Sequence, residues 1–228
     1  KLKERNIHIV ITAQTNFGNG YPERNIQTGG FSYKYDKCDM HSNPEAIAAQ
    51  ETYLRDLVKH TNPYTGLAYK DDPSIVGFEI NNEPCHSGTK EEVKAYINRM
   101  LKSMSKAGNR KPVFYNVSHN GYVAEAYYET TVQGTTYQWY PIGLVSGQTQ
   151  QGNFLPYVDR YDIPFAGKVK EFNKKARMIY EFDPADIMYS YMYPAMVRTF
   201  RTAGFQWITQ CAYDPIDLAF ANTEYQTH

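Results

Sequence analysis

The chain has 228 residues, which suits one domain and falls slightly short of the ~250 residues of a complete eightfold α/β barrel. Its 24 Lys and Arg balance 24 Asp and Glu, which argues against a surface for nucleic acid or an anionic membrane, since both favour basic patches. No apolar run approaches the roughly 20 residues of a membrane span, and three Cys are too few for a disulfide scaffold.

Leu2 to Arg5 reads as the tail of a helix, and Asn6 to Thr12 as a β-branched strand. A long loop from Ala13 to Asn43, rich in Gly, Asn and Tyr, follows; loops of that length are usually functional. Asn43-Pro44-Glu45 opens a helix reaching about His60, with Asn43 as cap and Pro44 suited to the first turn. Ile75 to Ile80 is an apolar run of the kind buried in a parallel sheet, interrupted by Glu79. Thr89 caps the next helix, which carries Glu91 and Glu92 in its first turn and stops at Gly108-Asn109. Strands are expected at Pro112–Ser118, Thr135–Tyr140, Arg177–Phe182 and Phe205–Cys211. Helical segments are expected at Tyr122–Thr130, Lys168–Lys174 and Met188–Ala203, the last ended by Gly204. Six strands alternating with helices imply one α/β domain over residues 1–228 with a parallel sheet and right-handed crossovers.

The Ile75 strand ends in Asn82-Glu83-Pro84. In an α/β barrel, chemistry sits at the carboxyl ends of the strands. This motif after an apolar strand resembles the Asn-Glu-Pro signature of the clan A glycoside hydrolases, cellulase- and mannanase-like enzymes on a (β/α)8 barrel. The resemblance implies that Glu83 is the general acid/base at the end of barrel strand four. The strand at Ile7 is then the third, and the chain carries strands three to eight of an incomplete TIM barrel. A six-strand remnant would expose two sheet edges. The expectation is therefore a segment truncated at its N-terminus, completed by further domains of a longer chain or by a partner.

Ile179-Tyr180-Glu181-Phe182 then falls on strand seven, where the clan places its nucleophile, and the resemblance gives Glu181 that role. A retaining glycosidase needs two such carboxyl groups, one to protonate the leaving oxygen and one to attack C1. Glu181→Ala is expected to abolish turnover, and activity to be bell-shaped in pH. The resemblance further implies that Asn82 binds the 2-hydroxyl of the reacting sugar and that Trp207 forms the floor of the −1 subsite. His119, Tyr137, Trp139 and Tyr140 compete for a contact to the nucleophile or the sugar. His41 and His86 are candidates for sugar contact. Glu79 is expected to pair inside the barrel, Asp183 to be a turn residue and Cys211 to be barrel wall. Some of the 21 Tyr are expected to stack on sugar faces.

Cys38, His41, Cys85 and His86 lie after adjacent strands and could be neighbours. Zinc is disfavoured because their spacing matches no zinc pattern; a Cys38–Cys85 disulfide is weighed, with free thiols preferred. No phosphate-binding Gly loop or serine elbow is present, and neither cofactor nor metal is expected. The reading is an exported retaining β-glycoside hydrolase with a carbohydrate substrate. Its rival is a non-catalytic carbohydrate-binding protein on a barrel scaffold, and a third reading is a metal-dependent hydrolase.

Overall fold

A computed structural model describes residues 1–14, 34–35, 37–117, 123–141, 152–160, 169–184 and 189–211. Within these, six strands follow one another in the sheet in chain order, β1 (Ile9–Gln14), β2 (Ile75–Asn81), β3 (Val113–Asn116), β4 (Gly134–Trp139), β5 (Ala176–Phe182) and β6 (Trp207–Ile208). This is the fold class expected, a parallel sheet of the (β/α)-barrel type. The chain divides into two compact units, residues 1–135 with 169–175, and residues 136–168 with 176–228.

In the first unit, β1 and β2 pair in parallel with Gln14 opposite Asn81, and β2 pairs with β3 with Phe78 opposite Val113. Gly77 allows β3 to close on β2: a Cβ there would meet Pro112 O at 3.2 Å and the Phe114 ring at 3.3 Å. Helix α1 (Pro44–Lys59) starts where expected, the Asn43 side chain accepting hydrogen bonds from the backbone N–H of Glu45 and Ala46. Helix α2 (Lys90–Lys106) has a full capping box between Thr89 and Glu92. It buries Val93, Tyr96, Ile97, Met100, Leu101 and Met104, a stripe at helical spacing, and ends before Gly108, whose φ of +92° only Gly adopts cheaply. A third helix, α3 (Ala124–Tyr128), buries Tyr127 and Tyr128.

In the second unit, β5 and β6 pair in parallel, and two helices are present, α4 (Leu155–Val158) and α5 (Met192–Thr202). The core is aromatic: Phe200 of α5 meets Trp139, Phe182 and Phe205 edge-on at ring distances of 5.5, 5.4 and 6.0 Å.

Three expectations shrink. The helix tail before Asn6 is a single 3-10 turn over Lys3–Arg5, stopped by Asn6 in the left-handed region. The helix over Lys168–Lys174 reduces to a 3-10 turn at Phe172–Lys174. The last strand pairs only over Trp207–Ile208, although single backbone bonds from Thr209 N to Ile179 O and from Cys211 N to Phe182 O carry it further.

Candidate active site

In the first unit, the carboxyl end of β2 carries Asn82 and Glu83, both half-buried. The ladder continues one residue past the strand, Asn82 N–H donating to Gln14 O at 2.8 Å. Glu83 then takes a φ of +45°. Such a conformation costs a non-Gly residue on the order of 1–3 kcal/mol and persists only where the surroundings enforce it. Here the neighbouring residues enforce it. Two residues on, Cys85 is joined to Cys38 in a disulfide with Cα atoms 4.7 Å apart, ordinary spacing for the bond. The free-thiol reading of this pair is thus overturned. Two positions before Glu83, the buried Asn81 amide donates to His41 Nε2 at 3.1 Å and to Tyr96 Oη at 3.2 Å. Because an amide nitrogen only donates, His41 Nε2 must be the acceptor and its ring neutral. The Tyr96 hydroxyl donates to Gln50 Oε1 at 2.7 Å, and Gln50 Nε2 donates to Met40 O and to Ala46 O. His86 Nε2 and the Tyr115 hydroxyl are 2.6 Å apart.

Burial governs the titration of this cluster. Desolvation pushes the His41 imidazole down to about 4, and desolvation together with the neighbouring His41 pushes His86 down to about 2. Both rings are therefore neutral at physiological pH, and burial raises the Tyr96 and Tyr115 hydroxyls. Deeper along β2, Glu79 is fully buried, accepting from Thr12 Oγ1 at 2.6 Å and Asn116 Nδ2 at 3.2 Å. It pairs inside the sheet, as expected.

In the second unit, Glu181 lies near the carboxyl end of β5, half-buried. The Cys211 thiol donates to its Oε1 at 3.2 Å, and Cys211 is pinned by its backbone bond to Phe182 O at 3.0 Å. Burial, with Glu181 and Asp183 adding to it, pushes the Cys211 thiol up to about 12, so it stays protonated and can donate. Tyr140, just past β4, shares the site; burial and then the Glu181 charge raise its hydroxyl strongly. Asp183, expected in a turn, is instead 1% exposed and accepts from Tyr193 Oη at 3.2 Å.

The remaining candidates separate clearly. Trp207 pairs with Met178, three residues before Glu181 on β5, and its indole N–H donates to Thr209 Oγ1 at 2.7 Å. Tyr137 is 3% exposed and packs edge-on against Phe205, a core position. Trp139 packs on Tyr157 and Phe200. His41 and His86, 8% and 5% exposed, brace the β2 end rather than offering free ring edges. They also line a cavity of about 510 Å3 with Tyr96, Glu92 and Arg99. His119 lies outside the described residues.

Cys211 is the residue that sequence reasoning missed. Read as barrel wall, it proves to be the β6-side neighbour of Glu181. The available signal was its place at the carboxyl end of the last strand, where barrels keep their chemistry. As for metal, Cys38 and Cys85 are spent on each other, and among the described residues no group of three or more His, Cys, Asp or Glu is placed to hold an ion. Among the same residues, no helix is long and apolar enough to cross a membrane.

No protein-family profile matches the chain. Over 64 residues it is 31% identical to mannan endo-1,4-beta-mannosidase 3 of Arabidopsis thaliana, a match covering 27% of this chain and 16% of the plant protein. Two solved structures resemble it throughout. An endo-1,4-beta-mannanase from Rhizomucor miehei superposes with a TM-score of 0.69 at 17% identity, over 99% of this chain and 68% of the fungal one. A hyperthermostable endo-1,4-beta-D-mannanase from Thermotoga petrophila gives 0.70 at 16% identity, over 99% and 72%. At such identities the likeness establishes the fold alone, that of a (β/α) barrel.

Proposed function

We propose that the protein is a retaining glycoside hydrolase acting on β-1,4-linked mannan, with Glu181 as nucleophile and Glu83 as general acid/base. The observation that carries the reading is the placement of two half-buried Glu residues, each just at the carboxyl end of its own parallel strand, β2 and β5. Barrel enzymes keep their reacting groups at such strand ends. The mannanase relatives favour mannan over other β-linked polysaccharides.

The chemistry balances in two steps. Glu181 attacks C1 of the sugar, the C1–O bond to the leaving chain breaks, and the departing oxygen takes the proton of Glu83. Glu83, now a carboxylate, removes a proton from water; that water attacks C1, the ester to Glu181 breaks, and both residues return to their starting states. Asn82, next to the acid in sequence, hydrogen-bonds the 2-hydroxyl in this reading, a contact that strengthens in the transition state. Tyr140 is the aromatic candidate that reaches Glu181. Because a polysaccharide does not enter cells, the protein works outside the cytoplasm, in keeping with the Cys38–Cys85 disulfide.

Steady-state kinetics on β-1,4-mannan and on activated aryl β-mannosides test the assignment. Glu181→Ala is expected to lose at least about 10³-fold in kcat on both substrates. Glu83→Ala is expected to lose as much on mannan but far less on an aryl mannoside whose leaving group needs no proton. A Glu181→Ala enzyme keeping more than a few per cent of activity removes the nucleophile assignment. If β-1,4-glucan is cleaved and mannan is not, the sugar is wrong and the mechanism stands. Sugar binding by the wild-type protein without hydrolysis leaves a carbohydrate-binding barrel instead.

A further inference from the structure

Nothing in the two-carboxylate mechanism calls for a thiol, yet one is aimed at the carboxylate on β5. Cys211 Sγ lies 3.2 Å from Glu181 Oε1, within the wider reach of a sulfur donor. The approach is built by the backbone: Thr209 N–H donates to Ile179 O at 2.8 Å and Cys211 N–H to Phe182 O at 3.0 Å, so two main-chain bonds set residue 211 beside the end of β5. The groups facing this thiol are Glu181 and Asp183 from β5 and its continuation, and Tyr140 from the segment after β4. None of them is cationic, and although a hydrogen bond with Tyr140 favours the thiolate, burial and the Glu181 and Asp183 charges outweigh it. With the thiol held protonated, the only service it can offer Glu181 is a donated hydrogen bond.

We infer that Cys211 is a positioning residue for the nucleophile, its thiol holding Oε1 of Glu181 so that Oε2 is the oxygen presented to the sugar. This rests on the assignment of Glu181 made above. A carboxylate with one oxygen held rotates less about its last bond, and correct orientation of the attacking atom is a large part of the barrier that an enzyme removes. A sulfur donor is a weak one, so the attacking group stays nucleophilic.

Cys211→Ala removes the donor and Cys211→Ser restores one in nearly the same volume, and the two are compared with wild type on an activated aryl β-mannoside. For Cys211→Ala, kcat is expected to fall about tenfold, with KM changed by less than about twofold. Cys211→Ser is expected to recover most of the rate. An Ala variant with wild-type kcat overturns the inference. So do Ala and Ser variants equally slowed with lowered Tm, because packing alone would then explain the loss. Labelling of the wild-type enzyme by a 2-deoxy-2-fluoro-β-mannosyl donor separates the two levels of the argument. Label on Glu181 with unaltered Cys211→Ala kinetics ends the positioning role only; label on another carboxylate ends the nucleophile assignment and the positioning role with it.

Discussion

Beyond β2, the chain that carries Glu83 is held by a disulfide and by a relay of buried amide, imidazole and phenol groups. At the end of β5, Glu181 is flanked by one thiol, one tyrosine and a partner strand of two residues. The two ends face different demands. Glu83 sits on a backbone with φ of +45°, which the chain would leave if it were free to, so covalent and hydrogen-bonded bracing on both sides keeps it there. Glu181 sits on regular strand, and its backbone needs no such help; what needs fixing is the rotation of its carboxylate. Covalent bracing suits a strained main chain, and a side-chain donor suits a relaxed one.

That contrast is open to breaking, and the largest effect should come from the disulfide. Replacing Cys38 and Cys85 together by Ser opens a bond that spans 47 residues of sequence. It is expected to cost about 2–4 kcal/mol of stability, seen as a lowered urea midpoint and Tm, and to reduce kcat because the turn at Glu83 relaxes. A double variant that melts with wild type would mean the hydrogen bonds alone hold this end.

A smaller effect is expected from pH. His41 and His86 ionise near 6.5 in an unfolded chain but only near 4 and 2 when folded. Between those limits the unfolded state binds the extra protons, so stability is complete above about pH 7 and is lost as pH falls through 6.5 towards 4. Each ring should remove roughly 1 kcal/mol by pH 5.5. Urea titrations at pH 7.5 and 5.5 read this directly, and His41→Gln with His86→Gln should flatten the difference. A wild-type protein equally stable at both pH values would show that the rings are not buried neutral.

Much of this could be seen in the chain itself. The alternation of apolar strands with capped helices is a local signal, and Asn43, Thr89 and Gly204 mark helix boundaries by their own chemistry; the architecture follows from them. Glu79 was readable as an internal pairing residue because a lone acid in an apolar run has to find donors. Register is what stayed hidden: Trp207 and Cys211 are four positions apart, and only the backbone bonds of the last strand, with Trp207 opposite Met178 and Cys211 N–H on Phe182 O, show that Cys211 stands at the level of Glu181. The Cys38–Cys85 bond was equally beyond reach, since a sequence names two thiols after adjacent strands but not the separation of their Cα atoms. Asp183 and Tyr137 misled for a related reason: a polar or amphipathic side chain at a strand end can turn either into solvent or into the core.

The central claim is that Glu181 attacks the sugar, and the most direct measurement is peptide mass spectrometry of the protein after reaction with an activated 2-deoxy-2-fluoro-β-mannoside, which slows breakdown of the ester more than its formation. The account predicts one added fluoromannosyl group, carried by the peptide containing Glu181, with activity lost in proportion to labelling and recovered as the ester hydrolyses. Label on a different carboxylate, or turnover with no covalent adduct and an inverted product, would contradict it.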